Sequence, residues 1–371
     1  MEKYNDWENE KLAKVKIKVL RGHNGGVNTC CFLNGENLVV SGGEDKTVRI
    51  WDSIDPLHKL TLTGHNDEIT CCRSSPDGRK IASTSLDKYL MVWDSTTGQP
   101  LLKSQHDGMV MSCDVSFDGK YILSCSDLNN AVLIWDVRQK KCIKTLNYHT
   151  STVLSCRFAR GSHRFCSTSM DLTTYVCHLW DYCDQLDPHF LLKLKGHINM
   201  IASCDFSADE RRLCTGSWDK TVNIWDVNAG TYRKEGPLTL KDGHDGCVSA
   251  CRFFKDGSSM ISASYDETLV VWDVENACKK FSLESHTGWV TDCDLSDDEK
   301  SVISSSKDGT LRFWDIENSD EIPVILQNKK NIGLRLLQCQ GCTKQFSIAQ
   351  AQDALSIKYC VFCRLERQSA L

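Results

Sequence analysis

Apolar and polar residues alternate with period two along most of the chain, in runs of five or six. Turn sequences such as PDG at 76–78 and DGK at 118–120 separate the runs. That pattern predicts short antiparallel strands joined by hairpins. The runs also repeat. SGGEDKTVRIWD at 41–52 returns as STSLDKYLMVWD, CTGSWDKTVNIWD, SASYDETLVVWD and SSSKDGTLRFWD, with SCSDLNNAVLIWD and STSMDLTTYVCHLWD as altered copies, seven in all. A histidine precedes each copy: His23, His65, His106, His149, His197, His244 and His286. The copies end on Trp51, Trp93, Trp135, Trp180, Trp225, Trp272 and Trp314. The His-to-Trp distance is 28 residues in five of them, 29 in the third and 31 in the fourth. Each repeat has room for one small sheet of three or four strands. A lone sheet of that size cannot bury its faces, whereas seven around an axis each cover the next and leave no long edge exposed.

The Gly-His pairs, the Asp-x-Thr turns and the Trp-Asp endings resemble the WD-repeat β-propellers typified by the G-protein β subunit, over roughly residues 14–315. The resemblance implies an all-β, seven-bladed propeller closed by its N-terminal strand, with Val15–Leu20 completing the last blade. Ile322–Leu326 competes for that place. It also implies a hydrogen-bond network in each blade: the histidine joins the turn aspartate to a hydroxyl, and the hydroxyl meets the indole N–H. The spacing agrees. An aspartate stands 22 residues after the histidine in six copies, with a Ser or Thr four residues before it. His23, Ser41, Asp45 and Trp51 form one such set; His197, Thr215, Asp219 and Trp225 form another. In the third copy Ser124 is present, but Leu128 occupies the aspartate's position, between Asp127 and Asn129.

A Ser, His and Asp set invites a comparison with hydrolases. A catalytic set occurs once per site, however, and this one occurs in every repeat. No Gly-x-x-x-x-Gly-Lys loop and no Gly-x-Gly-x-x-Gly stretch accompanies it, so no enzymatic activity is expected. The net charge of −5, without a basic stripe, argues against nucleic-acid binding. There is no run long and apolar enough to span a membrane and no secretory signal. The 21 cysteines, odd in number, then suggest free thiols in a reducing cytoplasm, with nucleus and cilium also open. Seven of them follow the repeat histidines by seven residues, on a strand face shared with Phe32, Phe158 and Phe206. These are expected as core.

Four cysteines are spaced differently. Cys339-x-x-Cys342 and Cys360-x-x-Cys363 match a structural zinc site, and a segment of this size needs such a staple. The expected division is an N-terminal extension over 1–13, the propeller over 14–315, a linker over 316–333 and a zinc-ribbon-like module with one zinc ion over 334–371. The family resemblance places the residue before each turn aspartate on one face: Glu44, Leu86, Leu128, Met170, Trp218, Tyr265 and Lys307. A second ring, three residues after each histidine, holds Gly26, Glu68, Met109, Thr152, Met200, Cys247 and Trp289. Met170, Met200, Trp218, Tyr265 and Trp289 form an arc of the residue types that dominate interfaces. The function expected is a non-catalytic scaffold, monomeric within a larger cytoskeletal or ciliary assembly, with other proteins as partners. The alternative is a substrate receptor of a cullin-type ubiquitin ligase, docking through WDVR: Trp135, Asp136 and Arg138.

Overall fold

The computed structural model describes residues 15–33, 38–52, 58–161, 164–178, 192–227 and 236–317, and the strand backbones of Leu334–Gln338 and Gln345–Ala349. The chain divides into two units, Met1–Ser319 and Asp320–Leu371. In the first, the described strands form seven four-stranded antiparallel sheets, the blades of an all-β propeller. Blade 1 runs through Val27–Leu33, Leu38–Gly43, Val48–Asp52 and His58–Leu62, from the innermost strand outward. Blades 2 to 6 repeat this order. Blade 7 takes Val290–Leu295, Ser301–Ser306 and Thr310–Asp315, and its outer strand is Lys16–Arg21 from the other end of the chain. The closing strand is therefore the one expected, shifted by one residue. Its Leu20 is buried among Val27, Trp51 and Leu311. Ile322–Leu326 lies outside the described residues.

The blades pack through the apolar faces that the period-two pattern provides. Leu123 and Ile134 of blade 3 meet Val153, Phe158 and Phe165 of blade 4 in one buried cluster. The seven cysteines that follow the histidines, Cys30, Cys72, Cys113, Cys156, Cys204, Cys251 and Cys293, are fully buried. Burial pushes the Cys30 and Cys293 thiols up, which makes them packing groups rather than nucleophiles. Outer strands face solvent and carry lysines such as Lys103, Lys144 and Lys193, which discourage pairing with a foreign edge.

One residue after those cysteines, the innermost strands of blades 2 to 7 carry Arg73, Asp114, Arg157, Asp205, Arg252 and Asp294, alternating in sign, and blade 1 carries the uncharged Cys31. Three of the carboxylates join blades by accepting a backbone N–H from the next one. Asp114 accepts from Phe158 at 2.7 Å, Asp205 from Phe253 at 2.9 Å, and Asp294 from Phe32 at 2.9 Å. Asp292 of blade 7 adds a contact among four blades: it accepts from Arg73 of blade 2 at 3.1 Å, from Arg252 of blade 6 at 3.0 Å, and from the Thr29 hydroxyl of blade 1 at 3.0 Å. Burial alone would raise the Asp292 carboxyl, but the two guanidinium groups outweigh it and hold it below the usual carboxylate range. Closure of the ring between blades 7 and 1 thus has a polar component, Asp292–Thr29 and Asp294–Phe32, beside the strand pairing.

In the second unit, Leu334–Gln338 pairs antiparallel with Gln345–Ala349, Gln338 opposite Gln345.

Candidate functional site

The hydrogen-bond chain within a blade fixes the loops at one end of the ring. In blade 1 the Trp51 indole donates to the Ser41 hydroxyl at 2.8 Å, Ser41 meets His23 Nε2 at 2.7 Å, and His23 Nδ1 meets Asp45 at 3.0 Å. Blade 5 repeats it: Trp225 to Thr215 at 2.9 Å, Thr215 to His197 at 2.8 Å, His197 to Asp219 at 2.8 Å. Asp45 also accepts from the Asn24 amide and the Thr47 hydroxyl, so it ties the two loops of this end together. Burial would raise its carboxyl, yet the bonds from His23 and Thr47 hold it well below the carboxylate range. The hydroxyls Ser41, Ser83, Ser262 and Ser304 have no solvent exposure, and each is engaged by both indole and imidazole. Such a hydroxyl is a structural joint.

Two blades depart from this pattern. In blade 3 the turn becomes a 3-10 turn, Leu128–Asn130, capped by the Asp127 carboxylate on the Leu128 amide at 2.7 Å. His106 still meets Ser124 at 2.8 Å, but its Nδ1 is buried without a carboxylate partner. Burial pushes His106 down to about 4, against small opposing effects of the Ser104 backbone and Asp107. In blade 4 the strand register puts Cys177 opposite Phe165, where the other blades place tryptophan. Trp180, which ends this copy in the sequence three residues further on, lies outside the described residues. Tyr148 takes over from the indole: its hydroxyl meets Ser167 at 2.9 Å, and the Cys177 thiol reaches the same hydroxyl at 3.6 Å. The exchange is reciprocal. In blade 6 the residue before the histidine is Gly243, and a Cβ there would stand 2.0 Å from the Trp272 ring. Loss of the tryptophan is what makes room for Tyr148.

At this His–Asp end, the two rings of positions picked from the sequence are partners. In every blade the residue before the turn aspartate donates its amide to the carbonyl three residues after the histidine: Glu44 to Gly26, Leu86 to Glu68, Asp127 to Met109, Met170 to Thr152, Trp218 to Met200, Tyr265 to Cys247 and Lys307 to Trp289. The third member is therefore Asp127, not Leu128: it stands 21 residues after His106, as its counterparts do after their histidines, and the extra residue of the blade 3 turn comes after it. Trp218, Tyr265 and Trp289 make a continuous aromatic row over three blades. Trp218 stands edge-on to Tyr265 at 5.9 Å, and Tyr265 stacks on Trp289 at 4.9 Å. Trp289 is 54 % exposed and Met170 37 %; Met200, Trp218 and Tyr265 are half-buried. Next to them Ile198 is 85 % exposed, in a position held by Asn, Asp or Thr in the other blades.

A further ring was not foreseen from the sequence. Each innermost strand carries a β-bulge near this face, as between Val27 and Thr29 or Val153 and Ser155. The inserted residue, five after the histidine, lines the mouth of the central channel. Period two places it with the buried cysteine two residues on; the bulge turns it to the axis. In blades 1, 2, 6 and 7 it is Asn28, Thr70, Ser249 or Thr291, each donating to a carbonyl of the next blade. In blades 3 to 5 it is Met111, Leu154 or Ala202. The mouth is a cavity of about 300 Å³, with Met170, Trp218 and Tyr265 on its rim and Arg73, Asp292 and Arg252 at its floor.

Seven consecutive segments match the WD domain, G-beta repeat: residues 14–52, 56–94, 98–136, 140–181, 189–226, 236–273 and 277–315. The chain belongs to the WD-repeat family. It is 47 % identical to human WD repeat-containing protein 88 over 97 % of its own length and 76 % of that protein's. It is 30 % identical to the DENN domain and WD repeat-containing protein SCD1 of Arabidopsis thaliana, over 51 % of this chain and 16 % of that one. Propellers of this family are generally non-catalytic and generally bind other proteins.

The remaining sequence candidates lie elsewhere. Trp135 is buried, and the Asp136 carboxylate accepts the Arg138 and Gln139 amides at 2.8 Å each, at the opposite end of the blade from the His–Asp loops. Asp94 and Asp273 close the same turn in blades 2 and 6. Arg138 is exposed. WDVR thus has the geometry of an ordinary strand end, and nothing favours the ligase reading. Cys339, Cys342, Cys360 and Cys363 lie outside the described residues.

Proposed function

We propose that this WD-repeat propeller is a non-catalytic scaffold that holds a partner protein on its His–Asp face, through Met170, Met200, Trp218, Tyr265 and Trp289. The observation that carries this reading is the aromatic row over blades 5 to 7, which ends in a tryptophan more than half exposed on a rigid rim. Trp and Tyr are the side chains that most often carry binding energy at protein interfaces, and an exposed patch of them is unusual unless something covers it. Cytoplasmic assemblies are the setting this reading assumes. The test is proximity labelling in cells with the full chain, the Trp289→Ala variant and Leu101→Ala, which removes an exposed residue of an outer strand. Partners should be lost with Trp289→Ala and kept with Leu101→Ala. An unchanged list in both variants sinks the reading.

We also propose that Cys339, Cys342, Cys360 and Cys363 hold one structural zinc ion. The pairing of Gln338 with Gln345 supports this, because it closes a hairpin whose connecting segment contains Cys339 and Cys342. A Cys-x-x-Cys pair can give two thiolates to one metal.

A further inference from the structure

The His–Asp face is chemically divided, and the division points to the kind of segment it takes. On blades 4 to 6 the paired inner positions are Thr152 and Met170, Met200 and Trp218, Cys247 and Tyr265, with no charge among them. The channel wall continues the apolar side through Met111, Leu154 and Ala202. On blades 2 and 3 the inner positions pair Glu68 with Leu86 and Asp127 with Met109, and the loops beside them carry Asp67 and Asp107; the position of Asp107 is also acidic on blade 6, as Asp245. Among the described residues no cation forms an ion pair with Glu68, Asp107 or Asp127. Glu44 is different, since Lys307 holds it across the junction of blades 7 and 1 and lowers its carboxyl. Lys46 and Lys88 stand in the turns after the network aspartates, and Lys46 is engaged by the Asn66 carbonyl. The inner rim thus has a net acidic arc on blades 2 and 3, facing the uncharged inner positions of blades 4 to 6 across the channel mouth.

We propose that this face binds an extended segment of a partner protein whose bulky apolar residue enters the channel mouth while adjacent Lys or Arg residues lie over Glu68, Asp107 and Asp127. The inference rests on the scaffold reading above and adds the chemistry of the partner. Complementary charge of this kind selects partners and sets orientation more than it adds affinity. The apolar anchor supplies the binding energy, and its entry does not disturb the ion triad at the channel floor, where Asp292 already has both of its arginines.

The test uses the full chain and short synthetic peptides that share one Leu–Phe anchor, flanked by Lys, by Ser or by Glu. Affinity is read by fluorescence anisotropy at low and high salt. The Lys-flanked peptide should bind at least about tenfold tighter than the Glu-flanked one, about 1.4 kcal/mol. That preference should shrink at high salt, and it should vanish or invert with Glu68→Lys and Asp107→Lys together. Trp289→Ala and Met170→Ala should weaken all three peptides alike. Equal binding of the Lys and Glu peptides, or no binding of the Lys peptide, overturns the inference. If binding is charge-blind but still weakened by Trp289→Ala, the scaffold reading survives alone. If the charge preference persists while Trp289→Ala and Met170→Ala change nothing, the apolar arc is not the anchor and both readings fall. Self-association by sedimentation, abolished by Trp289→Ala, also overturns the inference by giving the face to a second copy of the chain.

Discussion

At the scale of single residues, the repeated His, Ser and Trp positions are legible because each buried polar group needs a partner, and that need imposes fixed spacings. Trp225→Phe keeps one aromatic ring and removes the pyrrole half of the indole, with the N–H that Thr215 accepts at 2.9 Å. We expect a loss of about 1–3 kcal/mol, measured as a lower Tm; no change would remove the network from the account. What the sequence hid are the exchanges. Tyr before His149 and Cys six residues after Asp171 were the available signals, and they are intelligible only as a pair, since each occupies what the other vacates. Cys177→Trp alone should therefore destabilise, because Tyr148 fills the space. Combined with Tyr148→Gly it should recover much of the loss, and a double-mutant cycle without coupling between the two would contradict this. His106 gives a pH signature. Its folded value is near 4, below the roughly 6.5 of an unfolded histidine, so the unfolded chain binds the extra proton between those values. Stability from this group is present above pH about 6.5 and is lost as pH falls towards 4. Denaturant titrations across that window should show a shallower decline in His106→Gln than in the unaltered chain.

At the scale of the element, the period-two pattern and the turns are enough to locate the strands, and the closing strand lies within one residue of where the family resemblance puts it. The bulges were not legible, because an inserted residue changes which side chains share a face without changing the composition of the run. The charged positions of the innermost strands were hidden for a similar reason: Arg73, Asp292 and Arg252 lie far apart in sequence and meet only when the ring closes. Asp292→Ala leaves the buried Arg73 guanidinium without its carboxylate and Arg252 with only Asp294, 3.8 Å away. Breaking a buried pair in this way costs about 3–5 kcal/mol, and chemical denaturation should register it. A cost near zero would mean that the blades hold without this joint. The C-terminal hairpin makes its own prediction. Native mass spectrometry should find one zinc ion per chain, lost with Cys360→Ser and kept with Cys251→Ser, whose thiol is fully buried between blades. Zinc that survives Cys360→Ser would remove the four-thiolate site.

At the scale of the whole molecule, seven near-identical sheets yield a ring whose symmetry is broken mainly at the His–Asp face. The breaks have a direction: apolar on blades 4 to 6, with Trp289 extending the row, and acidic on blades 2 and 3. The sequence revealed the arc because the repeat aligns its positions, but it could not show that Trp218, Tyr265 and Trp289 touch, nor that the bulge residues continue the apolar wall. The central claim is that this face is the one a partner covers. Hydroxyl-radical footprinting of the chain, alone and in the complex isolated from cells, tests it most directly, since Trp and Met side chains are readily oxidised. Oxidation of Trp289, Met170 and Met200 should fall in the complex, while Phe117, exposed in a loop at the opposite end of the channel, reacts as before. Protection of Phe117 with Trp289 and Met170 still reactive would place the partner on the other end and contradict the account.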